Sequence, residues 1–423
     1  MAVRFDNLHD WLSWQETLHV AAIDLGLARV GEVARRLRLT DPGHTVITIA
    51  GTNGKGSCAA FMEHILSAAG YRVGCYTSPH LLRYNERVRI HQEQVADELL
   101  CQSFARIDES REDITLSFFE FGTLAAMDIF ERGEIDVAIM EVGLGGRLDA
   151  VNIQDPHLGL ITRIGIDHTD WLGDDRESIG REKAGIMRKG RPVVCGDPDP
   201  PESVLAWARA CGARLYRVGV DFDFSRGAHD WGWQGGPVGF EKLPLPALPG
   251  DVQFINAATV LMGLSLLAGT LAVDETAIRQ GLQRVTLPGR FQRKRGRIET
   301  VFDVAHNRDS AEELARSLRK WPVQGRNLAV FSALKHKDVE GMVASLGDVI
   351  DRWYVAPVDA DRGLAIDELT SRMERLIDAA RLEQFRSVPE AYQAVLRDAG
   401  QDDRAVVCGS FHTVAEVMTA LET

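Results

Sequence analysis

Short apolar runs alternate with amphipathic stretches along most of the chain. Val73 to Thr77, Val137 to Val142, Leu158 to Ile164 and Pro192 to Cys195 read as buried strands, and the segments between them carry apolar positions at helical spacing. Strand alternating with helix predicts an α/β fold with a mostly parallel sheet. A glycine- and tryptophan-rich patch from Asp221 to Gly250 breaks the rhythm and reads as β-hairpins decorating that sheet. Helix resumes over Asp251 to Ala268. A second alternation follows, with strands at Glu299 to Val304, Leu328 to Ser332, Trp353 to Ala356 and Ala405 to Cys408. Between the two lies Leu287-Pro-Gly-Arg-Phe-Gln-Arg-Lys-Arg-Gly296, which joins turn residues to a basic cluster. The predicted organisation is therefore a domain over 1–287, a linker over 288–296, and a smaller Rossmann-like domain over 297–423.

The strand from Val46 breaks into Gly51-Thr-Asn-Gly-Lys-Gly-Ser57, and an apolar helix follows (Ala59, Phe61, Met62, Ile65, Leu66). Glycines at 51, 54 and 56 permit positive φ and close approach, and the N–H groups at a helix start converge on an anion. Lys55 is placed to reach terminal phosphates and Ser57 to hold Mg²⁺. The spacing departs from G-x-x-x-x-G-K-[ST]: Ile49 stands at the first glycine and Gly56 separates the lysine from the serine. That disfavours a generic GTPase or kinase; an ordinary glycine turn is the plain alternative.

At 423 residues and 45% hydrophobic content the chain can bury a large core. A net charge of −13 disfavours nucleic acid or an anionic membrane as the main partner. The six cysteines form no C-x-x-C pair, so neither a zinc site nor a disulfide framework is expected. No basic-then-apolar leader and no membrane-length run is evident, which predicts a soluble cytoplasmic protein.

Other candidate groups sit where strands end, the usual place for ligands in an open α/β sheet. Glu141 closes the strand Asp136 to Met140 ahead of Val-Gly-Leu-Gly-Gly-Arg-Leu-Asp, and suits a hard oxygen ligand for Mg²⁺; a satisfied strand-end acid is the bland reading. His168, in Gly-Ile-Asp-His-Thr-Asp, can ligate metal when neutral, or be a loop histidine. Lys183, read from its residues alone, is a solvated helix lysine.

Motifs in order along nearly the whole chain give a family resemblance. They are G-T-N-G-K-G-S at 51–57, T-S-P-H-L at 77–81 followed by N-E-R-V-R-I, F-E-F-G-T-L-A-A at 119–126 and E-V-G-L-G-G-R-L-D-A at 141–150. I-D-H-T-D-W-L-G from Ile166, R-E-K-A-G-I from Arg181, P-G-R-F-Q from Pro288 and D-V-A-H-N from Asp303 complete the set. The chain resembles the folylpolyglutamate synthase/dihydrofolate synthase family of the Mur-ligase superfamily. The fold this implies is an N-terminal P-loop ATPase-like domain plus a C-terminal Rossmann-like glutamate-ligase domain.

The resemblance implies ATP-dependent amide formation between a pteroate-type carboxylate and L-glutamate, with dihydropteroate and reduced folates as acceptors. It brings two Mg²⁺ sites, K⁺ as a candidate monovalent ion and a monomeric state. Ser57, Ser78, Glu141 and His168 would be the metal ligands. Lys55, Lys183 and His168 would be catalytic, with Lys183 at the position that is carbamylated in this class. Gly51, Thr52, Asn53, Gly54, Lys55, Gly56 and Ser57 would cradle the nucleotide; Asn256 would lie near the base, Arg290 on phosphate, Asp303 on ribose, and His306 would help close the site. Pro79, His80, Arg83, Phe119, Asp149, Ala150, Lys335 and Ser410 would line the substrate pockets, Phe119 with Asp149 and Ala150 at the pterin. Aromatic residues in such a helix are otherwise plain core.

Val151 stands where threonine is usual and Arg308 where proline is usual, which touches local pocket shape and not the ligands. A peptidoglycan-type Mur ligase would need a separate N-terminal UDP-sugar domain, for which the phosphate loop at Gly51 leaves no room. A non-catalytic nucleotide-binding module is the alternative of another class. The resemblance favours an enzyme performing both folate reactions, since pterin-site motifs and the ligase core are both present; a dihydrofolate synthase or a folylpolyglutamate synthase alone is the alternative. The layout predicts hinge closure about 288–296.

Overall fold

The computed structural model describes residues 4–21, 23–360 and 362–422. The chain divides into two compact units, Met1–Ala247 with Phe254–Val285, and Leu248–Gln253 with Thr286–Thr423.

In the first unit, eight strands among the described residues form one sheet. They are β1 (Thr45–Ala50), β2 (Val73–Tyr76), β3 (Val88–Ile90), β4 (Glu93–Gln94), β5 (Val137–Glu141), β6 (Leu158–Ile161), β7 (Pro192–Cys195) and β8 (Arg214–Arg217). The order is β4-β3-β2-β5-β1-β6-β7-β8. β2, β5, β1, β6, β7 and β8 run parallel, and β3 and β4 add an antiparallel edge. β1 lies between β5 and β6 with all six residues buried, as a central parallel strand should. Register pairs Ile49 with Glu141 and Ala50 with Ile161, so the glycine loop, Glu141 and the segment after β6 leave the sheet at one end.

The helix Lys55–Ala68 that leaves the glycine loop buries Ala59, Phe61, Met62, Ile65 and Leu66, the face predicted from sequence. Full burial of a side chain such as Phe61 is worth about 1.5–3 kcal/mol over exposure, so the loop hangs on a well-anchored element. Helix Phe118–Arg132 starts at a capping box: Ser117 Oγ accepts from Glu120 N at 3.3 Å and Glu120 Oε2 accepts from Ser117 N at 2.7 Å. This fixes where Phe119 emerges.

The tryptophan-rich patch forms a three-stranded antiparallel sheet of its own, β9 (Phe222–Arg226), β10 (Asp230–Gly235) and β11 (Val238–Pro244). Trp231 and Trp233 are buried on one face, and Trp233 Nε1 donates to Ala258 O at 3.1 Å on the helix Val252–Leu266.

In the second unit the described strands are β12 (Gln292–Arg295), β13 (Glu299–Phe302), β14 (Asn327–Phe331), β15 (Arg352–Val355), β16 (Leu382–Gln384) and β17 (Arg404–Cys408), in the order β12-β13-β17-β14-β15-β16. All are parallel except β12, which pairs antiparallel with β13. The basic run within 288–296 is an exposed edge strand of the second sheet. Composition mimicked a tether because an edge strand exposed on both faces lacks the apolar alternation that betrays a strand.

Candidate active site

The glycine loop is shaped by close approach on both sides. A Cβ at Gly51 would collide with Thr162 Oγ1. Gly54, at φ +96°, caps the helix, and a Cβ there would lie 2.7 Å from Asn256 Oδ1. No side chain caps this helix start, which leaves its first-turn N–H groups to an anion. The loop is tied to the chain after β6: Arg163 O accepts from Thr52 N at 2.9 Å and Asn53 N at 3.3 Å, and Gly165 O accepts from Thr52 Oγ1 at 3.0 Å. Asn256, on helix Val252–Leu266, is buried against this loop.

Two lysines converge on one carbonyl. Lys55 Nζ donates to Gly51 O at 3.1 Å, and Lys183 Nζ donates to the same oxygen at 2.9 Å. Lys183 is buried, unlike the solvated helix lysine its residue context suggests. Desolvation, helped by the Lys55 charge, pushes its amine down to about 7. The signal that sequence periodicity misses is the glycine partner: a Cβ at Gly146 would lie 3.1 Å from Lys183 Cα, so the 141–149 loop packs directly on this helix.

Glu141 is buried at the end of β5, and its Oε2 accepts from Ser78 N at 3.2 Å, which brings two of the candidate metal ligands together. Ser57 is buried in the first turn after the loop. His168 caps the short helix Thr169–Leu172 at φ +55°, and its N–H donates to Asp167 Oδ1 at 2.8 Å. Among the described residues no three His, Cys, Asp or Glu side chains gather into a metal cage. The candidate donors are a carboxylate, two hydroxyls and an imidazole, a set that suits Mg²⁺ completing its shell with phosphate oxygens and water.

Phe119 lies over the next loop: a Cβ at Gly143 would be 2.5 Å from its ring. Asp149 holds that loop, its carboxylate accepting from Leu144 N at 2.8 Å and Val151 N at 3.0 Å. Burial pushes Asp149 up to about 6, against these N–H donors and Lys55. Ala150 follows, buried, in a 3₁₀ turn. Phe119, Asp149 and Ala150 are thus neighbours through the loop. His80 Nδ1 accepts from Arg87 Nε at 2.8 Å, while Pro79 is exposed and Arg83 reaches out to 3.5 Å from Asp97.

In the second unit, Asp303 follows β13 and accepts from Phe291 N and Ala305 N, both at 2.9 Å. Burial raises it to about 6 although Arg290 opposes the shift. Arg290 lies over the Phe411 ring at 5.2 Å and the His306 ring sits 5.9 Å from the same phenyl. Arg290, Asp303 and His306 therefore form one cluster. Ser410, next to Phe411, caps helix Phe411–Ala420 by accepting from Thr413 N at 3.0 Å. Lys335 is exposed on the loop after β14, with its N–H on Arg362 O.

A nucleotide loop with paired lysines, followed in sequence by a second parallel sheet, defines an ATP-dependent ligase of the Mur type. The Mur ligase middle domain matches residues 49–223, and the Mur ligase glutamate ligase domain matches 289–411. The dihydrofolate synthase/folylpolyglutamate synthase of Escherichia coli (strain K12) is 46% identical over 415 residues, 98% of this chain and 96% of its own. The solved E. coli FolC in complex with DHPP and ADP is similar at TM-score 0.94 and 45% identity, with 100% of this chain and 99% of that one covered. A bifunctional folylpolyglutamate synthase/dihydrofolate synthase solved with Mn, AMPPNP and L-glutamate bound is similar at TM-score 0.92 and 46% identity, covering 99% of this chain and 98% of that one. The chain belongs to the dihydrofolate synthase/folylpolyglutamate synthase family.

Proposed function

We propose that this enzyme joins L-glutamate to dihydropteroate, forming dihydrofolate, and to reduced folates, extending their glutamate tails. The observation that carries the reading is the convergence of Lys55 and Lys183 on the Gly51 carbonyl of an uncapped phosphate loop. The names of the E. coli relative and the ligands of its solved counterpart point the same way.

A carboxylate resists attack by an amine because it would have to expel oxide. Transfer of the γ-phosphoryl group from ATP to a carboxylate oxygen gives an acyl phosphate and ADP. The glutamate amine then attacks the acyl carbon, forming the C–N bond, and the tetrahedral intermediate loses the amine proton and expels phosphate to leave the amide. Both reactants are anionic, so the chain must supply positive charge where they meet. The loop N–H groups hold the phosphates and Lys55 follows the transferring group. Ser57, Ser78, Glu141 and His168 would hold Mg²⁺, which when bound neutralises triphosphate charge and orients its oxygens.

An amine near neutrality, as at Lys183, has a free lone pair in part of the population at pH 7. Its addition to CO₂ forms an N–C bond and releases a proton, turning a cation into a carboxylate suited to a second Mg²⁺. Phe119 with Asp149 and Ala150 takes the pterin end. In the second unit Arg290, Asp303 and His306 serve phosphate and ribose, and Lys335 and Ser410 the glutamate. No helix among the described residues is long and apolar enough to cross a membrane, and we place the enzyme in the cytoplasm as a monomer.

Phosphate release with Mg-ATP and L-glutamate tests this, comparing dihydropteroate, a reduced folate and no acceptor, with products identified by mass. Turnover with both acceptors is expected. Turnover with one alone replaces the bifunctional reading by a single-reaction enzyme, and silence with both overturns the folate assignment.

A further inference from the structure

One ion pair outside the described ligand set grips the peptide that the phosphate loop leans on. Asp197, two residues beyond β7, is buried, and its Oδ2 accepts from Ile164 N at 2.8 Å and from Arg176 Nη2 at 3.0 Å. Arg176 Nε in turn donates to Ile164 O at 3.0 Å, and its remaining N–H groups engage Asp199 O at 2.7 Å and Asp199 Oδ2 at 3.2 Å. Both polar groups of Ile164 are thus held by the same pair. The flanking carbonyls, Arg163 O and Gly165 O, are the ones that accept from Thr52 and Asn53 of the phosphate loop. Three and four residues on stand Asp167 and His168.

Arg176 is also the first residue of the helix Arg176–Ala184, whose Lys183 donates to Gly51 O. Seven residues are nearly two turns, so Arg176 and Lys183 share one face about 10.5 Å apart along the axis. One rigid helix therefore touches the phosphate-loop assembly at both ends, through Ile164 and through Gly51.

We infer that Arg176 and Asp197 are positioning residues for phosphoryl transfer, setting the 163–168 segment and the Lys183 amine at fixed places around the phosphate loop. The inference rests on the ATP-ligase reading above. A surface ion pair of similar length would not do this, because only a planar guanidinium can meet the Ile164 carbonyl, Asp197 and Asp199 at once. Lysine at 176 keeps the charge and loses the fork; asparagine at 197 keeps the shape and an oxygen for Ile164 N.

The test uses the full chain and its Arg176→Lys and Asp197→Asn variants. Three quantities are read: thermal midpoint without nucleotide, the shift produced by Mg-ADP, and kcat with KM for ATP, Mg²⁺ and acceptor. The expected result for either folded variant is a kcat lower by roughly 10- to 100-fold, a smaller Mg-ADP shift and a raised Mg²⁺ requirement, with acceptor KM unchanged. Folded variants that keep kcat and the Mg-ADP shift overturn the inference. So does activity that declines only in step with the folded fraction at unchanged KM for every ligand. If Arg176→Lys does not fold, Asp197→Asn carries the test. Absence of a Mg-ADP shift in the unaltered chain would instead overturn the ATP-ligase reading on which the inference stands.

Discussion

Gly54 can be compared with a glycine that shares its backbone strain and none of its surroundings. Gly54 sits at φ +96° with Asn256 Oδ1 2.7 Å from a would-be Cβ, whereas Gly70 sits at φ +89° with nothing within 4 Å. Alanine at either site incurs the left-handed penalty of about 1–2 kcal/mol. At Gly54 the methyl must also displace the buried Asn256 amide, which adds about 1–3 kcal/mol if a buried polar group loses its partner. At about 2–4 °C per kcal/mol for a domain of this size, Gly70→Ala should melt roughly 2–8 °C lower and Gly54→Ala roughly 4–20 °C lower. Function separates them more sharply. Gly70→Ala should leave KM for ATP unchanged, while displacement of the loop N–H groups in Gly54→Ala should raise it by about 10- to 100-fold. Paired melts and acceptor-dependent ATP turnover measure both. Equal melting losses with an unaltered KM for ATP in Gly54→Ala would refute the claim that this loop is shaped for phosphate.

Glu141→Gln keeps the acceptor for Ser78 N but removes the charge, so kcat should fall on the order of 10³-fold with the Mg²⁺ requirement raised; a magnesium titration of turnover checks this. Phe119→Ala should raise KM for dihydropteroate while KM for ATP stays constant, as steady-state kinetics with each substrate varied will show. Acid stability reports on two histidines that immediately precede β1 and β6. His157 Nδ1 accepts from Val46 N at 3.0 Å, and burial lowers both His157 and His44, the latter to about 4. Because the unfolded chain protonates first, near 6.5, stability from this pair is complete above that pH and is lost as pH falls toward about 4. The variant with His44→Gln and His157→Asn, which keeps an acceptor for Val46, should show a smaller drop in melting temperature between pH 7 and 5.

The parallel core was legible because β1, β5, β6 and β7 are buried on both faces and read as unbroken apolar runs. β3, β4, β8 and β16 escaped, being short, near sheet edges and partly exposed, with polar residues that periodicity assigns to loops. The phosphate loop and Glu141 were legible as strand-end chemistry. By the same logic Asp197 in Cys-Gly-Asp-Pro-Asp-Pro could have been singled out, since it lies just beyond the end of β7. Lys183 could not, because its burial is created by loops distant in sequence: Gly146 on one side and Gly51 on the other. Only the motif resemblance singled it out. Ser410 caps a helix and Lys335 stands on an exposed loop, two placements after a strand that sequence periodicity does not separate.

The outermost strand of the second sheet, β12, exposes Gln292, Arg293, Lys294 and Arg295 along a row of backbone groups open on one side. Such a row is a template on which another chain's strand can add. Arg293 is paired with Glu299 on β13, and the remaining cations of the row, Lys294 and Arg295, repel the same row on a second copy. The run that resembles a tether in sequence thus acts as a guard against aggregation. Replacing its cations by threonine or valine would remove that guard and favour self-association at high protein concentration, without touching the phosphate loop.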